Sequence, residues 1–272
     1  MQSRRFENAQ YVRRLIDTIK DTAEEIGQDR GMVLERFPHT LWEVRKSGRL
    51  ASIGIPGIRS IMKDALKGIE EIHTEGLIHL AFGMKRLNSG IRDELEIKSQ
   101  NILLDGITAK LSDLGSDTIA TPPSTGTVQP MPYRSPEALF DLQWSEKTDI
   151  WGWGMVYLHM VQAYLRSDIW GLYDMLPEET TVEKTEDYEK RIQSEIFHDF
   201  RLDSVTHYQK CKELWPKKNP EREGIIFQSI LEYLGFARDD IGILEKVLIP
   251  DPKQGPTAGD ILRKGWLDIG ET

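Results

Sequence analysis

The chain is nearly free of cysteine: Cys211 is the only one in 272 residues. A lone thiol makes no internal disulfide and no cysteine-based zinc site. A disulfide scaffold and a cysteine zinc finger are excluded, and a reducing compartment is expected. Excess positive charge is also missing. Lys and Arg number 35 against 44 Asp and Glu, a net charge of −9. Phosphate-backbone recognition needs a basic face, so no nucleic-acid partner is implied. Long apolar runs are absent as well. The longest, Ile150 to Val161, falls well short of the roughly 20 residues that span a bilayer. Met1 to Asn8 holds no apolar signal core, so the expected location is intracellular, cytoplasmic or nuclear, with no membrane span.

What remains is an ordinary globular composition, 39% hydrophobic and 29% charged. The length suits one large domain or two small ones with a sizeable core. Phe6 to Ile19 carries Tyr11, Val12, Leu15, Ile16 and Ile19 at helical spacing, which predicts a helix. A polar loop, Lys20 to Gly31, leads to a short apolar strand, Met32-Val33-Leu34. Ile58 to Leu77 is the clearest amphipathic helix, started by Pro56-Gly57 and stopped by Gly76. Ile102-Leu103-Leu104 and Ala109-Lys110-Leu111 flank the turn signal Asp105-Gly106 and predict a hairpin. Thr118 to Pro132 lacks periodicity and is expected as a long exposed loop. Helices are expected over Lys147 to Leu165, Thr185 to Phe200, Ile225 to Leu234, Asp239 to Leu248 and Thr257 to Trp266. The order suggests an α+β fold dominated by helices.

Chemistry-bearing residues gather around the hairpin. Lys98-Ser99-Gln100-Asn101 precedes it and Ser112-Asp113-Leu114-Gly115 follows it. A hairpin returns its two ends to one place, so Asn101 and Asp113 can face one metal ion. A lysine three residues before Asn101 can meet a phosphate. Metal and positive charge together are what phosphoryl transfer requires, because negative charge spreads over the transferred group.

With these motifs in order the sequence resembles the protein kinase family, in its serine/threonine branch. Met32-Val33-Leu34-Glu35-Arg36-Phe37 is similar to the hinge between the lobes. Leu34 would be its gatekeeper, the backbone at Glu35 and Phe37 would face adenine, and Leu103 would complete the nucleotide site. Ile72 to His79 resembles the approach to the catalytic loop, and Lys98 and Asn101 match that loop's second half. Asp113-Leu114-Gly115 matches the magnesium motif, with Asn101 and Asp113 as metal ligands. Ser135-Pro136-Glu137 matches the end of the activation segment, and Asp149 the helix-start residue that braces the catalytic loop. Asp251-Pro252 and Pro256-Thr257-Ala258 match the last helix pair. The resemblance implies a protein-kinase-like α+β fold: a remnant N-lobe over 1–36 and a helical C-lobe over 37–268. It also implies ATP and Mg2+ as cofactors and a protein substrate or protein partner.

The departures from the family are equally specific. No Gly-x-Gly-x-x-Gly precedes Met32 and no lysine sits there on an apolar strand. Read as a helix, the first segment sets Ala9 where the family's ion-pairing glutamate is expected, with Glu7 out of register. Residues 81–95 interrupt the catalytic loop. Without them the frame closes as His79-Leu80-Glu96-Ile97-Lys98-Ser99-Gln100-Asn101, with Glu96 in the catalytic-base position and Lys98 on phosphate. Glu is one methylene longer than Asp, and a misplacement of about 1 Å costs about a hundredfold. Leu80, Pro130 and Gly255 replace three supporting family residues, Gly255 standing for the arginine that would pair with Glu137. Three readings follow: a kinase with impaired catalysis, a pseudokinase interaction module, or the inert product of a truncated or mis-spliced gene.

Overall fold

The computed structural model describes residues 5–20, 29–79, 101–115, 119–126, 128–129, 131–167, 172–173, 182–217, 219–222 and 224–268. The chain opens with a hairpin of β1 (Leu15–Lys20) and β2 (Asp29–Leu34), paired antiparallel. β3 (His39–Thr40) and the short helix α1 (Leu41–Lys46) follow. The long helix α2 (Leu50–Thr74) then leads to β4 (Ile78–His79). β5 (Ile102–Asp105) and β6 (Thr108–Leu111) form the second hairpin, and β7 (Ile119–Ala120) pairs back onto β4. β3, β5 and β6 form one antiparallel sheet in that order. The remainder is helical: α3 (Pro136–Leu139), α4 (Glu146–Leu165), α5 (Val182–Asp199), α6 (Phe227–Tyr233), α7 (Arg238–Val247) and α8 (Ala258–Arg263).

The first segment corrects the sequence expectation, because it is a strand and not a helix. Leu15-Ile16-Asp17-Thr18-Ile19 is rich in β-branched residues, which favour the pleated backbone. The supposed helical stripe is not buried as one: Ile16 is 57% and Ile19 58% exposed. The backbone before the strand is claimed by other elements. The Gln10 and Tyr11 N–H groups donate to the Glu71 carboxylate on α2, at 2.8 and 2.9 Å. Val12 makes a parallel bridge to Leu111. Gly68 permits this contact, since a Cβ there would stand 2.7 Å from the Tyr11 carbonyl oxygen. The placing of Ala9 or Glu7 in an ion-pairing helix therefore falls away.

The end of α2 determines where β4 begins. Gly76 takes a positive φ of 69°. Its N–H donates to the His73 carbonyl at 2.9 Å, and the Leu77 N–H to that of Ile72 at 3.3 Å. This is the Schellman arrangement, sealed by apolar Ile72 and Leu77. It turns the chain sharply and delivers Ile78 and His79 into the core, both fully buried.

α4 is the axis of the core, with every residue from Thr148 to Gln162 buried. Trp153 stacks on Tyr157 at 5.9 Å, and its indole N–H donates to the Met62 carbonyl at 2.8 Å. The expected core role of Trp151, Trp153 and Tyr157 agrees with their burial. A polar knot ties α2, α4 and α7 together: Arg59 donates to Asp240 Oδ1 through Nε (3.1 Å) and Nη2 (2.7 Å), and the Tyr157 hydroxyl donates to the same oxygen at 2.5 Å. Burial, then the Asp240 carboxylate, pushes the Tyr157 hydroxyl pKa well up, so it stays a donor.

Within the expected exposed loop, the described residues 119–126 are tied down. β7 pairs them to β4, Ser124 bridges to Trp144, and the Trp144 indole donates to the Gly126 carbonyl at 3.2 Å. Removing one partner of a buried ion pair strands the other. Asp240→Ala is therefore expected to cost about 3–5 kcal/mol, read as a lowered urea midpoint with unchanged slope.

Candidate active site

The site is built around Asp149, in the first turn of α4, with no exposed surface. Its Oδ2 accepts the backbone N–H of His79 at 2.6 Å and lies 2.8 Å from His73 Nε2. One carboxylate oxygen thus joins the end of α2, the start of α4 and strand β4. His79 continues the chain of contacts: its Nε2 lies 2.9 Å from the Ser112 carbonyl. A carbonyl only accepts, so the proton is on Nε2. His79 is an anchor between β4 and the end of β6.

From Ser112 the network reaches the expected metal pair. The Ser112 N–H and hydroxyl both donate to the Asn101 carbonyl, at 2.9 and 3.2 Å. Asn101 immediately precedes β5 and Asp113 follows β6 by two residues, so the hairpin does bring both to one end. Asn101 is buried, while Asp113 is exposed with a left-handed φ of 64°. A non-glycine residue held at positive φ is uncommon and concentrates at functional sites. Among the described residues no group of three or more His, Cys, Asp or Glu could hold a metal by itself. A carboxylate with one amide oxygen instead suits Mg2+, which keeps waters and takes phosphate oxygens rather than a full protein cage.

The expected nucleotide residues lie on β2, on β5 and on the segment between β2 and β3. Leu34 ends β2, half-buried, and Phe37 lies half-buried before β3. Leu103, on β5, pairs across the sheet with both Thr40 and Lys110. The Lys110 ammonium reaches the Glu35 carboxylate at 2.9 Å, which sets the β2 exit beside the β5–β6 hairpin. Burial alone would raise the Glu35 pKa. The Lys110 hydrogen bond and the Arg14 N–H outweigh it and hold the carboxyl below its ordinary value. Both backbone groups of Glu35 are engaged: its N–H donates to the Arg14 carbonyl at 3.0 Å, and its carbonyl accepts Arg13 Nε at 2.7 Å. Glu96, Lys98, Leu80, Pro130 and the interruption at 81–95 lie outside the described residues.

Sequence reasoning did not find Gln129, Thr148 or Arg13. Gln129 is 1% exposed; its side chain donates to the Thr148 carbonyl at 2.9 Å and accepts the Ser135 N–H at 2.8 Å. It joins the loop to α4 and α3, and no pattern marks it. The Thr148 hydroxyl donates to Glu137 Oε1 at 2.6 Å. Glu137 is 3% exposed, and burial pushes its carboxyl pKa up. Glu137, Lys147, Pro252 and Gly255 line a small cavity.

A braced histidine strand, an Asn–Asp pair at one hairpin end and a helical lobe around a buried axis define a protein-kinase-like fold. The comparisons agree. The family model described as protein kinase domain matches residues 3–267. The chain belongs to the protein kinase family. It is similar to the mitogen-activated protein kinase HOG1 of Kluyveromyces lactis, 26% identical over 77% of this chain and 41% of that protein. It is similar to mitogen-activated protein kinase 12 of Homo sapiens, 27% identical over 79% of this chain and 51% of that protein. It is also similar to the serine/threonine-protein kinase PCRK2 of Arabidopsis thaliana, 32% identical over 51% of this chain and 32% of that protein. The chain thus spans about a third to a half of these relatives' lengths. Among solved structures it matches a chain of the yeast RNA Pol II CTD kinase CTDK-1 complex with a TM-score of 0.68, covering 96% of this chain and 78% of that one at 14% identity. That likeness shows the fold.

Gly255 has room for a larger side chain, since an added Cβ meets nothing nearer than 3.9 Å. Gly255→Arg is expected to stabilise the fold by about 1–3 kcal/mol by adding a charged donor to the Thr148 hydroxyl that Glu137 already accepts, raising Tm. In Glu137→Gln the same change is expected to lose that gain.

Proposed function

We propose that this chain binds Mg2+–ATP weakly and that its reaction is impaired transfer of the γ-phosphoryl group to Ser or Thr hydroxyls of a protein. Asp113, held at positive φ beside Asn101, carries this reading. Leu34, Glu35, Phe37 and Leu103 enclose the adenine end. Asn101 and Asp113 hold Mg2+, which when bound offsets charge developing on the phosphoryl oxygens. By the family pattern Lys98 would meet phosphate and Glu96 would serve as base, where a carboxylate misplaced by about 1 Å costs about a hundredfold.

A second reading has one specific support. Asp149 Oδ2 is bonded to the His79 N–H and the His73 ring, and His79 Nε2 to the Ser112 carbonyl, contacts that need no nucleotide. That suits a pseudokinase module presenting helices to a protein partner.

Millimolar Mg2+–ATP is expected to raise Tm, and Asp113→Ala to abolish the rise. Phosphotransfer to a Ser/Thr peptide library is expected well below the roughly 1–100 s⁻¹ typical of kinases. Turnover inside that range overturns the impairment. A Tm rise without turnover favours the module. No response of either kind overturns the nucleotide site.

A further inference from the structure

We propose that Arg13 is an internal plug of the adenine slot, its guanidinium occupying the acceptor at the β2 exit that an adenine amino group would use. The inference rests on the nucleotide-site reading above and adds a reason why this site is weak.

The placement of Arg13 is fixed from three sides. Its own N–H donates to the Leu111 carbonyl at 2.7 Å, and the Leu111 N–H donates to the Tyr11 carbonyl at 2.8 Å. The neighbouring Arg14 carbonyl accepts the Glu35 N–H at 3.0 Å. The backbone at 13 is thereby locked between the hairpin that carries Leu103 and the strand that ends at Leu34. From that position the side chain crosses to the β2 exit, where Nε donates to the Glu35 carbonyl at 2.7 Å.

The chemistry of that contact opposes a nucleobase. Adenine offers an exocyclic amino group, a donor, toward a backbone carbonyl. The Glu35 carbonyl already receives a charge-assisted donor at short distance, a stronger bond than a neutral amino group makes. A carbonyl keeps a second lone pair, so an incoming amino group would have to share the oxygen with the Arg13 guanidinium. The groups around it hold it there. The Glu35 carboxylate is drawn to Lys110 by hydrogen bonds of 2.9 and 3.1 Å and accepts the Arg14 N–H at 3.3 Å. It is therefore not free to swing round and draw the guanidinium off the carbonyl.

The experiment is isothermal titration of Mg2+–ADP into the full chain, compared with Arg13→Val and Arg13→Met. The Met variant keeps the length of the stem but has no donor, and serves if the Val variant folds poorly. Arg14→Ala removes an equal charge one residue away and is the control. Freeing the carbonyl is expected to tighten ADP binding by about 10-fold to 100-fold, with Arg14→Ala unchanged. Equal measurable affinity in the wild type and both Arg13 variants overturns the plug and leaves the slot standing. An equal gain in Arg14→Ala also overturns it, because general charge is then the cause. No detectable binding by any of the chains overturns the plug and the nucleotide site together.

Discussion

One carboxylate oxygen carries more of this architecture than any other atom. Asp149 Oδ2 takes the backbone N–H of His79 and contacts the His73 ring inside a core that excludes water. A buried carboxylate is costly without donors, and each hydrogen bond to it is stronger for the charge. Its partners lie 70 and 76 residues away in sequence. The helix stop at Gly76, the two-residue strand β4 and the position of Ser112 all refer back to it. His79 then holds Ser112, at the hairpin end that Asn101 and Asp113 flank. A chemically modest group, an aspartate in the first turn of a helix, thereby positions residues it never touches.

The N-terminal hairpin lives by the same kind of external support. A sheet of two strands is marginal in water, and Met32 at 62% exposure shows how little of it is buried. It is held by what it borrows. Glu71 accepts two of its amides, Lys67 lies over the Tyr11 ring at 4.4 Å, and residues 11–13 pair with Leu111. The hairpin is docked onto the helical lobe, and its attachment runs through residues 10–14, beside Glu35.

The sequence made the helical lobe legible because burial and periodicity agree there. Ile58, Ile61, Met62, Ala65, Leu66, Ile69 and Ile72 are one stripe in the chain and one buried face in the fold. The hairpin was legible from Asp105-Gly106, where Gly106 adopts the expected positive φ of 61°. That Asn101 and Asp113 lie at one end of the hairpin follows from its strand pairing alone. The first segment was misread because residues 11, 12, 15, 16 and 19 satisfy helical spacing by coincidence, while the β-branched run votes for a strand. Short segments leave that conflict to tertiary contacts, and the contacts with Glu71 and Leu111 decided it. Gln129 and Arg13 carry no pattern at all. Their roles are bonds to backbone carbonyls, which any sequence possesses and none advertises.

Asp149 fixes β4 through the His79 amide. Native-state hydrogen exchange at the His79 amide measures that directly. The account predicts exchange as slow as that of the central amides of α4, reached only through global unfolding, and a much faster rate in Asp149→Asn. A His79 amide that exchanges in the wild type as fast as those of the Asp105-Gly106 turn would contradict it.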